Sequence, residues 1–270
     1  MGFLDEEVQR IERSAAEAAS AKKPGKISLG VILIAVAGII FIIVAAGFLT
    51  YSKDRSIAVI PLEGEISTGD FSIDGYAGSE YVGRQLRSAA DDPLVEAIVL
   101  RVNSPGGSPA GAQEIIADLE YAKARKPVVV SMGDLAASAA YYISAHADRI
   151  YASPDTLTGS VGTTWIFIDI SEWMKKEGYA VDVVKSGDRK DMTSPYRSRT
   201  DAELVYAQDI VNDSFEQFIT DVIAQRHVER SAIEDGRIMR GQEALQIGLV
   251  DEMGNLYAAI DGAREMAATR

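Results

Sequence analysis

The chain has 270 residues, a formal net charge of −13 and no cysteine. The lack of cysteine excludes disulfides, a thiolate metal site and a cysteine nucleophile. Only two histidines are present, which argues against a histidine-rich metal centre, and we expect no cofactor and no metal. The negative charge argues against nucleic acid as a partner, because nucleic-acid binding needs a basic surface.

The first element along the chain is an apolar segment near the amino terminus. Residues 29–49 read LGVILIAVAGIIFIIVAAGFL, and no charge occurs between Lys26 and Lys53. At 1.5 Å per residue this helix would span roughly 31 Å, which matches a hydrocarbon core of about 30 Å. A cleaved signal peptide has a shorter apolar region and does not normally follow a charged tail of this length. The pattern predicts a tail over 1–26, a transmembrane anchor over 27–52 and one large domain over 53–270.

Basic residues are distributed unevenly around the predicted anchor. Five precede it and two follow it closely: Arg10, Arg13, Lys22, Lys23 and Lys26 before, Lys53 and Arg55 after. Positive residues favour the cytoplasmic side of a membrane. We therefore expect a single-pass protein of the plasma membrane, with lipid around the anchor, a cytoplasmic amino terminus and the large domain outside the cytoplasm.

In the large domain, short hydrophobic runs alternate with segments of helical periodicity. The predicted strands cover 56–66, 95–103, 127–133, 149–153, 164–170 and 180–187. The predicted helices cover 108–124, 136–146, 172–177 and 203–225. Strands that alternate with helices indicate βαβ units and a mainly parallel sheet covered by helices. The sequence therefore predicts one α/β domain after the anchor.

Two turns of this pattern carry the first candidate site residues. The strand 95–103 ends in SPGG, and the strand 127–133 leads through DLAAS into a helix. In open α/β sheets, ligands bind where strands end and helix amides point outward. Ser138 is a candidate nucleophile there, and the turn of Gly106 and Gly107 is a candidate amide donor to an oxyanion. The alternative is that Ser138 only packs and the glycines only turn the chain.

A serine nucleophile needs a base, and the two histidines are poorly placed for this role. His146 follows Ser138 on the same predicted helix, about 12 Å along its axis, and His227 lies near the end of the long helix. Four lysines are expected at the wrong end of a strand or on a solvated helix: Lys123, Lys126, Lys175 and Lys176. Strand polarity leaves Lys185 and Lys190 and does not choose between them.

Either lysine has to be neutral in order to act as a base. A free lysine has a pKa near 10.4, and burial against apolar surface lowers it by about 2–3 units. A hydroxyl partner would orient the neutral amine, and Ser160 in LTGSVG is one candidate. This chemistry predicts a buried lysine with a hydroxyl neighbour.

Four motifs resemble a known family of proteases. In chain order they are RVNSPGG, VSMGDLAASAAYYISAHADRIYASPDTLTGSVG, KSGDRKDMTSPYR and GRIMRGQEALQIGLVDEMG. They look like the signal peptide peptidase A family, membrane-anchored serine proteases (family S49) of the ClpP/crotonase superfamily. The resemblance covers residues 57–264, and the chain looks like the short, single-domain form. It implies an α/β fold of ClpP/crotonase-like repeated βαβ units, preceded by one transmembrane helix.

The resemblance also implies roles for individual residues. The serine of the alanine-rich motif is the family's nucleophile, here Ser138, and the lysine of its KD motif is the general base, here Lys190. The serine of the TGS motif, here Ser160, hydrogen-bonds that lysine. The second glycine of PGG, here Gly107, forms the oxyanion hole with the amide of Ser138. Family members often have two glycines after the nucleophile where this chain has two alanines, which bears on substrate preference more than on catalysis.

The family's activity further implies substrates and partners. Its substrates are signal peptides left in the membrane after secretion, together with other hydrophobic peptides. Its members form homo-oligomeric rings or domes, with serine and lysine from one chain or from neighbouring subunits. Residues 71–86 are a candidate flank of the substrate groove. The alternatives are a related Ser-Lys protease that processes a membrane-protein partner, an inactive peptide-binding membrane scaffold, and acyl-CoA chemistry, which usually needs catalytic carboxylates near the oxyanion hole.

Overall fold

The computed structural model describes residues 3–19, 28–51, 56–73 and 75–270. The chain divides into two compact units, residues 1–54 and 55–270. The first unit contains helices α1 (Phe3–Ala19) and α2 (Leu29–Tyr51). Within the described ranges, no helix meets the combined length and hydropathy required of a membrane span. The predicted domain boundaries at 26/27 and 52/53 lie outside the described residues.

The second unit is built on a seven-stranded, mainly parallel sheet. In chain order, its strands and those of a smaller sheet are β1 (Ser56–Glu63), β2 (Glu65–Ser67), β3 (Ser72–Ile73), β4 (Tyr76–Gly78), β5 (Val95–Ser104), β6 (Val128–Ala137), β7 (Arg149–Ala152), β8 (Leu157–Gly159), β9 (Ile238–Arg240) and β10 (Glu252–Met253). Five strands pair in the order β1-β5-β6-β7-β10, all parallel. Strand β8 pairs with the end of β6 and also with antiparallel β9, while β2, β4 and β3 form the smaller sheet.

Helices connect these strands. They are α3 (Ser79–Asp91), α4 (Pro109–Lys123), α5 (Ala139–Ala145), α6 (Ser171–Lys176), α7 (Asp201–Arg226), α8 (Gly241–Gln246) and α9 (Leu256–Thr269), with a 3-10 turn at Arg230–Ala232. The parallel sheet with helical connections confirms the predicted α/β class. The structure also confirms most of the predicted elements: the strands at 56–66, 95–103, 127–133 and 149–153, and the helices at 108–124, 172–177 and 203–225.

Alternate residues of β5 face two different cores. Ile98, Leu100 and Val102 belong to a large cluster that includes side chains of α3, α4 and α5. Ala97 and Val99 belong to a smaller cluster against α9. Both faces of the strand are therefore covered, which explains the continuous apolar run at 97–100. Each large apolar side chain buried in this way contributes about 1.5–3 kcal/mol to folding.

Three predictions about secondary structure were wrong in whole or in part. Residues 164–170 and 180–187 do not form strands, and Ile166 is 81% exposed. An apolar run becomes a strand only when a neighbouring strand pairs with its backbone, and the described part of the chain supplies none here. We term residues 164–187 the apolar arm. The predicted helix at 136–146 starts later, because β6 continues to Ala137 through its pairing with β8.

Candidate active site

Ser138 lies in the sharp turn between β6 and α5. Its backbone has φ 55° and ψ −126°, a conformation that costs a residue with a side chain on the order of 1–3 kcal/mol and clusters at active sites. A Cβ at Gly106 would lie 2.8 Å from the amide nitrogen of Ala139, so the glycine lets the two turns approach closely. The side chain of Ser138 is thereby presented on a strained strand-to-helix turn, which is also where the catalytic serine of α/β hydrolases lies.

Gly107 holds the second turn against a neighbouring strand. It has φ 146° and forms a parallel bridge with Ile66, and an added Cβ would collide with the Ile66 backbone. Ile66 donates to the carbonyl of Gly106 at 2.8 Å and accepts from the amide of Ser108 at 2.8 Å. The amide of Gly107 itself has no acceptor among the described residues. This amide is therefore free to donate to a ligand.

The amide of Ser138, the second predicted oxyanion donor, already has an acceptor in this structure. It donates to the carbonyl of Gly159 at 2.9 Å, so it is not free to bind an oxyanion in this arrangement. The next amide, that of Ala139, opens α5, and the first amides of a helix have no intrahelical partner. No described residue accepts a hydrogen bond from it. The structure thus pairs the free amides of Gly107 and Ala139 beside Ser138.

A pocket of about 500 Å³ brings together three of the four predicted site residues: Gly107, Ser138 and Ser160. Ser160 follows β8, has φ 52° and donates its amide to the carbonyl of Arg237 at 2.9 Å. The lining includes five apolar or aromatic side chains: Tyr142, Val161, Val211, Phe215 and Phe218. The pocket therefore suits an apolar substrate side chain next to the serine.

Tyr142 and α7 contribute to this pocket, and neither was identified from the sequence. Tyr142 stacks against Phe218 at 4.5 Å and donates its hydroxyl to Asp221. Burial, together with the carboxylate of Asp221, raises the pKa of Tyr142, so the hydroxyl stays protonated. Seven residues of α7 line the pocket, each three or four positions from another: Gln208, Val211, Asn212, Ser214, Phe215, Gln217 and Phe218. That spacing is the signal in the sequence that could have identified the face of α7 at the pocket.

Lys190 is the predicted site residue that this single chain does not bring to the pocket. It is exposed and does not line the pocket that contains Ser138. The other candidate, Lys185, donates to the carboxylate of Asp191 at 2.7 Å and to the carbonyl of Asp188 at 2.8 Å. Its ammonium group is thus engaged as a donor, which disfavours a role as base. The expected burial of the catalytic lysine is not met for Lys190 within one chain.

The two histidines lie away from the pocket of Ser138. His146 contacts Glu120 at 3.0 Å, and Lys123 donates to the His146 carbonyl at 2.6 Å. His227 is exposed at the end of α7. Neither histidine lines the pocket of Ser138, so the structure agrees that a serine–histidine pair is not formed. Among the described residues, no group of acidic, histidine or cysteine side chains is arranged to bind a metal ion.

Comparison with known proteins assigns the chain to a family. The family model described as Peptidase family S49 matches residues 120–270, more than half of the chain. The chain belongs to peptidase family S49. The predicted resemblance to the signal peptide peptidase A family is thereby confirmed.

Several proteases are similar over most of this chain. Protease 4 of Haemophilus influenzae is 34% identical over 224 residues, which cover 82% of this chain and 36% of that protein. Protease 4 of Salmonella typhi is 37% identical over 216 residues, 78% of this chain and 35% of that protein. A putative signal peptide peptidase SppA of Enterococcus faecium is 33% identical over 224 residues, 79% of this chain and 64% of that protein. The chain thus spans between about a third and two thirds of the length of these relatives.

Proposed function

We propose that this S49 peptidase is a membrane-anchored endopeptidase with a Ser138–Lys190 dyad that degrades signal peptides after their release from secretory proteins. The observation that carries the proposal is the strained Ser138 beside the free amides of Gly107 and Ala139. A packing serine has no need of strain or of two unpaired amides, whereas a nucleophile that generates an oxyanion needs both.

The proposed reaction is acyl transfer through an acyl-enzyme. Neutral Lys190 takes the proton of the Ser138 hydroxyl, and the serine oxygen attacks the peptide carbonyl carbon. The amides of Gly107 and Ala139 donate to the oxyanion, each contributing about 3–4 kcal/mol to transition-state stabilisation. Lys190 then gives its proton to the leaving amine as the C–N bond breaks. Water, deprotonated by the same lysine, hydrolyses the ester and restores Ser138. Ser160, which lines the pocket, orients the amine by a hydrogen bond.

Lys190 reaches this pocket, in our proposal, from a neighbouring copy of the chain. Two observations support this arrangement. The lysine side chain is exposed and makes no hydrogen bond or ion pair with any described residue. In addition, the apolar arm exposes Ile166, Ile168, Val183 and Val184, and its backbone forms no strand within the described chain. A second copy would cover these side chains, pair the arm and bury the lysine, which would supply the desolvation that a lysine base needs.

The membrane location and the substrate class are supported by chemistry rather than by a bound ligand. The apolar side chains that line the pocket favour hydrophobic peptides. Signal peptides are of this kind, because they have a hydrophobic central region. Helix α2 consists of apolar residues, and an anchor there would hold the peptidase beside peptides left in the bilayer. The relative from Enterococcus faecium carries the name of a signal peptide peptidase, which points to the same substrate class.

The test of the dyad is the peptidase activity of the full-length, detergent-solubilised protein on a fluorogenic hydrophobic peptide. We expect Ser138→Ala and Lys190→Ala each to lower kcat by at least about 10³-fold. Arg264→Ala, which changes an exposed arginine of α9, should leave the rate unchanged. Mixed subunits of the two inactive variants should regain activity if the lysine comes from a neighbour. Full activity in either dyad variant would disprove the dyad.

A further inference from the structure

Lys190 lies in a short turn between the apolar arm and α7. Three backbone hydrogen bonds shape this turn. The amide of Lys190 donates to the carbonyl of Gly187 at 3.1 Å. The amide of Met192 donates to the carbonyl of Arg189 at 3.2 Å, and that of Ser194 to the carbonyl of Asp191 at 2.9 Å. The turn belongs to no sheet, so strand pairing does not hold it. A base must nevertheless be held within a fraction of an ångström to be effective. Something else has to hold this turn.

Asp191, the residue after Lys190, is fixed by two cations. Arg197 donates its Nε to Oδ2 at 2.8 Å and its Nη2 to Oδ1 at 2.7 Å. Lys185 donates its Nζ to Oδ1 at 2.7 Å. These donors lower the pKa of Asp191 far below its usual range, so the carboxylate is ionised at every pH at which a lysine base works.

Arg197 also connects this turn to the first turn of α7. It donates Nη1 to Oε2 of Glu203 at 2.8 Å and Nη2 to Oε1 at 2.6 Å. Glu203 is only 4% exposed and forms a capping box with Thr200 at the start of α7. The guanidinium thus bridges a carboxylate beside Lys190 and one that belongs to a long helix. We term Asp191, Arg197 and Glu203 the clamp.

We propose that Arg197 is a positioning residue that holds the Lys190 turn against α7, an inference that rests on the proposed role of Lys190 as the base. Without Arg197, Asp191 would keep only Lys185 as a cationic partner and the buried Glu203 would lose its cation. The link between the turn and the helix would be gone, and the repulsion of the two carboxylates would favour movement of the turn away from α7. Arginine is suited to this role because its planar fork binds two carboxylates bidentately, whereas lysine offers a single point charge.

The test compares Arg197→Gln with Arg197→Lys in the full-length protein, on the same fluorogenic peptide. We expect Arg197→Gln to lower kcat by about 10–100-fold with KM within about twofold, since a displacement of 1 Å can cost on the order of 10²-fold. Arg197→Lys should give an intermediate kcat. The matched control is Arg149→Gln on β7, because Arg149 is also about one-third exposed and paired with a glutamate, Glu252, at 3.1 Å. Its kcat should not change.

A second readout separates positioning from a general loss of structure. Arg197→Gln subunits should behave in mixing experiments as Lys190→Ala subunits do, because both carry a defective base and an intact Ser138. When either variant is mixed with Ser138→Ala subunits, the activity should rise to the same extent if the lysine comes from a neighbour. Mixed with each other, the two variants should show no more than the residual activity of the Arg197→Gln subunits alone. Recovery in that last mixture would overturn the proposal, because it would show that the Arg197→Gln defect is not in the base.

The failures of the two proposals are distinguishable. If Lys190→Ala is active, both the dyad and the role of Arg197 are wrong. If Lys190→Ala is inactive while Arg197→Gln keeps its full kcat, only the positioning role is wrong. If Arg197→Gln raises KM and leaves kcat unchanged, the clamp serves substrate binding, and the positioning role is again wrong.

Discussion

The two halves of the proposed dyad lie in very different surroundings. Ser138 stands between Ala137 and Ala139, which are 3% and 5% exposed, and its turn is held by β8 and by the glycines of the neighbouring turn. Lys190 is exposed, in a turn that follows the apolar arm and is held mainly by the clamp. The proposed nucleophile is thus positioned by the core of the sheet, and the proposed base by ion pairs at the surface.

This difference follows from what each residue needs. A strained backbone persists only when buried neighbours over-determine it, so the serine has to stand on the sheet. A lysine base has to be buried in order to lose its charge, and Lys190 is exposed in the described chain. In the proposed reaction, one chain therefore supplies both amide donors to the oxyanion, whereas the Ser138–Lys190 dyad requires a second copy packed on the apolar arm.

The largest effect should come from the turn that supports the nucleophile. Gly107→Ala introduces a Cβ that collides with the Ile66 backbone, at a φ of 146° that residues with side chains rarely adopt. The turn must shift, and one oxyanion donor shifts with it. We expect kcat to fall by about 10²–10³-fold, measured on the hydrophobic peptide.

The control for this change is Gly38→Ala, where an added Cβ meets no described atom within 4 Å. It should leave kcat unchanged. A Gly107→Ala protein that keeps its wild-type kcat and melting temperature would show that the amide of Gly107 plays no part in the reaction.

The next effect concerns the exposed surface near the base. The double change Ile166→Asp and Val184→Asp places charges on two side chains that are exposed in the single chain. Surface changes of this kind usually alter stability by no more than about 0.5 kcal/mol, so the melting temperature of the isolated chain should hardly move. If a second copy packs on the arm, the new charges would be buried at that contact, which is unfavourable. We therefore expect the oligomer to dissociate, which would lower the native mass, and the activity to fall at least tenfold.

Tyr257→Asp on α9 is the matched control for the arm, since Tyr257 is 74% exposed on a helix that covers the other face of the sheet. It should change neither mass nor activity. An arm variant with unchanged mass and activity would show that Lys190 reaches Ser138 without a second copy packed on the arm.

The smallest effect is on the acid stability of the clamp. Hydrogen bonds from Arg197 and from the backbone of Thr200 lower the pKa of Glu203 to about 2. A carboxylate with a lowered folded-state pKa stabilises the fold above its unfolded pKa, near 4.3, and loses this contribution as the pH falls towards the folded value. We therefore expect pepsin to cleave the segment 185–200 increasingly between about pH 4 and pH 2.

The sheet around Ser138 should resist pepsin over the upper part of that range, which would sharpen the contrast between the two regions. Glu203→Gln removes the titrating group, so the pH dependence of cleavage should be much weaker in this variant. An equal pH dependence in wild type and variant would assign the acid sensitivity to other carboxylates.

Much of the fold could be predicted from local patterns. The strands at 95–103 and 127–133 and the helices at 108–124 and 203–225 follow from apolar runs and helical periodicity, because burial acts on each segment in the same way wherever it lies in the sheet. The runs 164–170 and 180–187 of the apolar arm have an equally strong strand pattern, yet neither forms a strand. Apolar character indicates that a segment should be covered, but it does not specify which other segment or chain covers it.

The sequence by itself determined the α/β class, the family and the two turns that carry Ser138 and Gly107, because these depend on residue type and order. The tertiary structure decided that Gly159 takes up the amide of Ser138, so that the free donor is Ala139. It also decided that Arg197 joins the Lys190 turn to α7. Both outcomes come from contacts between separate elements, namely the pairing of β6 with β8 and the packing of a turn on a helix, and local sequence patterns do not encode such contacts.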